Sequence, residues 1–235
     1  DFVYGESTSH KVLDNITLTI PKGKITAIVG SSGSGKTTLL KLLLKLYEPV
    51  KGKINIGKDN LRFMNTKKWR EHCGAVLQDS SLFNDTLGRN ITESRANRPT
   101  DRNRLFEVVV MANLSELVEN LPLGLDTLIG EHGNLLSGGE KQRLLIARAI
   151  YKNPDYLFFD EATSALDAKN EKVISENLKS FYVDKTVILV AHRLSTVRNA
   201  DQILVMDKGK IVEKGSHKEL VELNGFYHQL ILNQL

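Results

Sequence analysis

Gly30-Ser31-Ser32-Gly33-Ser34-Gly35-Lys36-Thr37 decides how this 235-residue chain is read. A short apolar run, residues 25–29, leads into it, and a Leu- and Lys-rich segment with helical spacing, residues 37–47, leaves it. The stretch satisfies G-x-x-x-x-G-K-[ST] in the strand–loop–helix context that this motif requires. Glycines let the backbone wrap closely enough to aim several N–H groups at phosphate oxygens. The helix start adds its positive end. Lys36 then places a point charge on the β- and γ-phosphates, and the Thr37 hydroxyl is placed to ligate Mg²⁺. A tight glycine-rich turn without a ligand is the plainer alternative, and the full match between both flanking elements argues against it.

Three further apolar runs work outward from this one. Residues 75–77 end at Gln78, residues 156–159 at Asp160 and residues 187–191 at His192. Continuous apolar runs separated by helical segments mark strands covered on both faces, hence an α/β fold with a mostly parallel sheet. Ligands of such sheets bind at the carboxyl ends of the strands. A carboxylate directly after a buried strand is costly without a partner, and a Mg²⁺ ion held jointly by Asp160 and Thr37 supplies one. Glu161 can orient or deprotonate an attacking water; the pair also reads as a helix N-cap followed by a first-turn acid. Gln78 can ligate the metal or a water through its carbonyl oxygen, and His192 can hydrogen-bond a γ-phosphate. Each alone also reads as a satisfied polar residue at a strand end, and their common placement is what points to one nucleotide-hydrolysing site.

A second anion site starts at Leu136-Ser137-Gly138-Gly139-Glu140-Lys141-Gln142, ahead of a helical run that Asn153-Pro154 ends. Ser137 reads as an N-cap, and the two glycines expose the first N–H groups. With no metal ligand beside it, this is half a site, and a C2 dimer would complete it by closing each half over the phosphate loop of the other chain. Physics alone leaves this open against a simple loop and cap.

Elsewhere, residues 12–20 alternate as a half-buried antiparallel strand would, and residues 52–56 are strand-like. Residues 203–206 and 211–212 flank Asp207-Lys208-Gly209-Lys210 as strand, turn, strand. The segment 84–150 reads as helical, with 102–121 its longest candidate. Ser216-x-x-Glu219 opens a final helix broken near Gly225. The expected organisation is one domain over 1–235: a core with a β subdomain from 1–83 and 151–235, and a helical subdomain from 84–150. Apolar residues at 41% and charged residues at 26% suit a globular domain. The single cysteine excludes a disulfide framework within the chain and fits a reducing compartment. Asp1-Phe2-Val3-Tyr4 shows no signal-peptide character, and no apolar run approaches the ~18–20 residues of a membrane span. The net charge of +4 is spread thinly and gives weak support to nucleic-acid binding.

These motifs resemble the nucleotide-binding domain of ATP-binding-cassette (ABC) transporters along nearly the whole chain. Residues 30–37 are similar to the Walker A loop, Gln78 to the Q-loop, residues 136–140 to the signature, 156–161 to the Walker B strand with its catalytic glutamate, Ser164-Ala165-Leu166-Asp167 to the D-loop and His192 to the switch histidine. The resemblance implies a P-loop NTPase core with an antiparallel β subdomain and an inserted α-helical subdomain. It implies ATP and Mg²⁺ as cofactors. Tyr4 would stack on adenine; Gly30, Ser31, Ser32, Gly33, Ser34, Gly35, Lys36, Thr37, Thr38 and Gln78 would hold the nucleotide; Thr37, Gln78 and Asp160 would hold the metal. Glu161, His192, Lys36 and Gln78 would serve catalysis. The implied partner is a second copy in a head-to-tail pair, in which Ser137, Gly138, Gly139, Glu140 and Asp167 face the other chain's ATP. A transmembrane domain is the other implied partner, with no nucleic acid, at the cytoplasmic face of the cell membrane within an integral transporter. Gly130-Glu131-His132-Gly133 resembles the X-loop of exporters, although His132 stands where glutamine or arginine is common, and Thr37 replaces the commoner serine. The overall texture is similar to bacterial peptide, bacteriocin or toxin exporters.

A soluble cassette acting on nucleic acid or ribosomes is the main competitor. Thr37 to Ser137 holds no heptad run for the coiled coil of repair-type heads, and the chain has one cassette, not two. A P-loop kinase leaves the signature and Glu161 unexplained. His10, His72, His217 and His228 read as ordinary polar residues, and Cys73 as a small buried hydrophobe. Arg89, Arg95, Arg98, Arg102 and Arg104 read as a solvated helical face.

Overall fold

The computed structural model describes residues 1–5, 11–93, 99–191 and 193–232. Its strands are β1 (Ile25–Gly30), β2 (Asn55–Ile56), β3 (Asp59–Asn60), β4 (Cys73–Val76), β5 (Tyr156–Asp160), β6 (Thr186–Val190), β7 (Gln202–Asp207) and β8 (Lys210–Gly215). The helices are α1 (Lys36–Leu43), α2 (Thr66–Glu71), α3 (Leu87–Thr92), α4 (Arg102–Met111), α5 (Ser115–Asn120), α6 (Gly138–Tyr151), α7 (Ala168–Phe181), α8 (Leu194–Val197), α9 (His217–Glu222) and α10 (Phe226–Leu232). The fold is α/β, with mostly parallel sheet, an antiparallel β pair and helices. The chain divides into two units, Asp1–Cys73 with Asp184–Leu235, and Gly74–Val183. No helix of the described residues is long and apolar enough to cross a membrane.

In the first unit β1 runs parallel to β6 on one side and to β7 on the other, so Ala27 faces Leu189 and Ile203. Residues 26–29 are all buried, and a strand covered on both faces reads as a near-continuous apolar run, here interrupted by Thr26. β8 returns antiparallel to β7 through Lys208 and Gly209, both with positive φ (45° and 76°). Two such residues suit the twist of a two-residue hairpin. β2 and β3 pair across Gly57-Lys58 as a short hairpin, a smaller ladder than residues 52–56 suggest. Residues 12–20 do not form the expected strand. Leu13 makes one isolated antiparallel bridge to Phe2. Asn15 then turns left-handed (φ 51°), its N–H donating to the Asp1 carboxylate while the Asp14 N–H donates to the Gly209 carbonyl. The donors a ladder needs are spent elsewhere, yet Ile16, Leu18 and Ile20 keep the alternating half-burial. α1 ends at Leu43, short of the reading to 47, because left-handed Lys45 closes it: the Lys45 and Leu46 amides return to the Leu42 and Lys41 carbonyls. The Ser216–Glu219 capping box opens α9, and α10 follows Gly225.

In the second unit β4 lies beside β5. The helix expected over 102–121 is two helices. Asn113 (φ 54°) stops α4: its N–H returns to the Val110 carbonyl and that of Leu114 to Val109. This is the paired-bond left-handed termination that asparagine tolerates better than most residues. Arg104 departs from a solvated face. Its guanidinium donates to the Ile150 and Tyr151 carbonyls and lies 5.3 Å from the Phe181 ring centre. Arg95, Arg98 and His10 fall outside the described residues. Cys73 is buried, its thiol against the Trp69 carbonyl.

Arg148, on α6, fixes the segment that follows Gln78. It donates to the Asn90 carbonyl, the Asn90 side-chain oxygen and the Ser81 carbonyl at 2.7–2.8 Å, and stacks 4.7 Å from the Phe83 ring. Burial pushes its pKa down to about 10, so it stays charged at neutral pH. Arg148→Ala strips three acceptors of a charged donor, and we expect a loss of about 3 kcal/mol in urea unfolding.

Candidate functional site: a phosphate loop and a carboxylate cleft

The loop after β1 is shaped by backbone that only glycine tolerates. Gly30, Gly33 and Gly35 have φ of 148°, 76° and 100°. A Cβ on Gly30 would sit 2.0 Å from the Met206 carbonyl oxygen, and one on Gly35 would sit 2.6 Å from a Leu13 methyl, whereas Gly33 faces open space. The loop is thus packed behind and open in front, as a cradle for a ligand must be. Ser31, Ser32 and Gly33 are exposed and Ser34 is buried. The Lys36 ammonium folds back over the loop, donating to the Gly30 and Ser31 carbonyls at 2.9 and 2.8 Å. Gly35 caps α1 with no side-chain hydrogen bond, and the first turn holds no acid. A cation at the positive end of a helix opposes the dipole, and an anion seated there reverses that balance. Thr37 is half-buried at this end, and the Thr38 hydroxyl meets the Tyr4 hydroxyl at 3.0 Å. Tyr4 is 44% exposed and meets Phe2 and Tyr47 edge-on, at 4.9 and 5.3 Å between ring centres. The Gly209 peptide braces both parts of this unit: its N–H donates to the Ser34 carbonyl and its carbonyl accepts from Asp14.

In the second unit an open cleft of about 480 Å³ gathers Gln78, Gly138, Lys141, Gln142, Asp160, Glu161 and Ser164. Asp160 ends β5 and is 2% exposed. Glu161 follows it in the left-handed region (φ 54°), a conformation that costs a bulky residue of order 1 kcal/mol and collects at functional sites. Gln78 is exposed beyond β4, where the Leu77–Ser80 turn holds it. Gly138, Lys141, Gln142 and Leu145 of α6 line the cleft at helical spacing.

Ser137 caps α6 in a reciprocal box. Its N–H and hydroxyl both donate to the Glu140 carboxylate at 2.7 Å, and the Glu140 N–H returns to the hydroxyl at 3.3 Å. Burial works against the charged Glu140 carboxyl, but the Ser137 bonds and Arg143 keep its pKa below the ordinary value. Asp167 caps α7, accepting from the Asn170 backbone and side chain, and those bonds lower its pKa. The 3-10 turn Glu131–Gly133 carries left-handed His132 (φ 50°) between two left-handed glycines. His192 lies outside the described residues.

The sequence shows Gln142 only as the end of the stretch 136–142 and gives it no task. Its side chain donates to the Glu161 carbonyl at 3.0 Å and to the Ser164 hydroxyl at 3.2 Å, and accepts from the Ala165 N–H at 2.9 Å. The available signal was its position four residues after Gly138, on the same helix face.

The donor chemistry suits Mg²⁺. A hydroxyl (Thr37), an amide carbonyl (Gln78) and a carboxylate (Asp160) are the hard oxygen ligands it takes. No group of three or more His, Cys, Asp or Glu that could hold a metal occurs among the described residues.

A glycine cradle at the carboxyl end of a parallel strand, with a lysine folded across it, defines a P-loop nucleotide-binding ATPase domain. The family model for ABC transporters matches residues 13–164. Multidrug resistance protein 1 of Entamoeba histolytica is 44% identical over 234 residues, covering 99% of this chain and 18% of that protein. The ATP-dependent lipid A-core flippase of Haemophilus influenzae is 45% identical over 218 residues, covering 93% of this chain and 37% of the flippase. A solved structure of a bacterial Atm1-family ABC exporter with ATP bound superposes with a TM-score of 0.93 at 40% identity, covering 98% of this chain and 40% of that one. The chain therefore belongs to the ABC transporter family, as the ATP-hydrolysing domain found in its exporters. It spans two-fifths or less of the length of these relatives.

Proposed function

We propose that this chain is the motor of an exporter, working as a head-to-tail pair of copies that closes on ATP and opens after hydrolysis, and driving a transmembrane partner domain at the cytoplasmic face of the cell membrane. The phosphate loop, with Ser31, Ser32, Lys36, Thr37 and Thr38, binds the triphosphate, and Tyr4 offers its ring to adenine. Thr37, Gln78 and Asp160 are the residues that would hold Mg²⁺, which when bound draws charge from the β- and γ-phosphate oxygens. Glu161 takes a proton from water as the water oxygen bonds to the γ-phosphorus. The bond from that phosphorus to the bridging oxygen breaks, and ADP leaves with the electron pair. His192 is assigned a hydrogen bond to the γ-phosphate.

The observation that carries the two-chain reading is the pair Gly138 and Gly139. Neither has a positive φ, and a Cβ on either would make only ordinary contacts of 3.8 and 3.4 Å with Ala165. The chain's own fold does not require these glycines, whereas a ligand brought up from outside does. Their amides open α6, where no intrahelical acceptor exists, and Ser137 keeps its hydroxyl proton on Glu140. The amides of Gly138 and Gly139 are then the donors offered to the other copy's γ-phosphate, with Asp167 at the same interface.

Gly138→Ala tests this. We expect thermal melting within about 2 °C of the parent, with ATPase activity and ATP-dependent dimerisation each lowered at least about tenfold, the scale of one lost charge-assisted bond. Normal dimerisation and turnover in this variant would remove the two-chain site.

A further inference from the structure

We infer that Gln142 is a positioning residue for hydrolysis, holding Glu161 in its working geometry by clamping the turn that follows β5. The inference rests on the reading of Glu161 as the base. Three bonds define the clamp. A carbonyl only accepts and a backbone N–H only donates, so the Glu161 carbonyl and the Ala165 N–H together fix which end of the Gln142 amide is oxygen and which is nitrogen. The same nitrogen reaches the Ser164 hydroxyl.

The clamp sits where the backbone is under load. Glu161 lies at φ 54° with its carbonyl also receiving the Ser164 N–H, so the turn from 161 to 165 is closed on itself and tied to α6 by the Gln142 amide. Losing the Gln142 donor loosens the Glu161 carbonyl, a loosened left-handed glutamate relaxes toward φ below zero, and the carboxylate swings with the relaxing backbone. Gln142 therefore acts through the Glu161 main chain, without touching the nucleotide. It also lies one helical turn from Gly138 on the cleft-lining face. The rigid first turns of α6 thus join the amides offered to one ATP with the base aimed at another. The Gln142 amide carries a displacement of α6 by a phosphate at Gly138 to Glu161.

The test uses this chain with Mg-ATP. Gln142→Ala should lower kcat by about 10²-fold, the scale of a 1 Å misplacement of a reacting group, with KM for ATP within about twofold. ATP-bound dimer should accumulate as hydrolysis slows, read by light scattering after gel filtration. Gln142→Glu retains an acceptor for the Ala165 N–H and loses the donor to Glu161, so its kcat should fall between parent and alanine variant. In the Glu161→Gln background, Gln142→Ala should cost nothing further, because a residue that acts only through the base has no effect once the base is gone. A Gln142→Ala kcat within twofold of the parent overturns the inference. So does a raised KM with lost dimerisation, or an added loss in the Glu161→Gln background, since these mark a merely structural role. A parent chain with no ATPase activity would instead overturn the underlying reading of Glu161, whatever Gln142 does.

Discussion

Glu161→Gln should cut steady-state ATP turnover by about 10³-fold while the chain still binds ATP and pairs with a second copy. The amide keeps the size and hydrogen-bonding reach of the carboxylate but cannot accept the water proton, and general-base groups contribute about 10²–10⁴-fold. In the proposed site the charge removed lies beside the triphosphate, so ATP affinity should hold or rise. Phosphate release gives the rate, and light scattering after gel filtration gives the dimer, which should persist for as long as hydrolysis is blocked. Turnover at the parent rate would show that another group takes the proton.

Lys36→Ala should weaken ATP binding and turnover by about 10²–10³-fold, the range for removing a preorganised charge from a reacting phosphate. The geometry gives the reason. Lys36 is 6% exposed and its ammonium is already held by the Gly30 and Ser31 carbonyls. Little conformational entropy is lost when phosphate arrives, and the charge acts in a partly dehydrated cradle where it is worth more than in water. Loss of affinity should be read with a fluorescent ATP analogue, and of turnover by phosphate release. Unchanged values for both would remove the phosphate-loop assignment.

Residues 30–37 were legible because that loop is local: strand, glycines, lysine and helix follow one another, and no distant residue is needed to recognise them. The strand ending at Asp160 is legible for a like reason, since burial on both faces leaves an unbroken apolar run, whereas β4 stops at Val76 with Ala75 exposed. The reading failed where a single residue adopts a left-handed backbone. Asn15 dissolves a strand that the alternation of residues 12–20 supports, and Asn113 cuts one helical pattern into α4 and α5. Asparagine tolerates that conformation without demanding it, so the choice belongs to tertiary bonds such as Asp1 to Asn15. Arg104 misled in another way. Charge argued for solvent, but its long stem and planar head reach two carbonyls and an aromatic ring. Gln142 was visible as a letter and silent as a role, because its three partners lie 19–23 residues away.

The placement of β1 between β6 and β7 has a consequence for biosynthesis. The phosphate loop leaves the ribosome before either strand that flanks its parent strand and before the Gly209 peptide that braces Ser34, all of which lie after residue 185. Long-range pairings of this kind form slowly and only once both partners exist. The recognition element is thus made before its supports and acquires its shape only after they follow. A nascent chain halted before β7 would carry the whole nucleotide motif in its sequence and would not retain ATP.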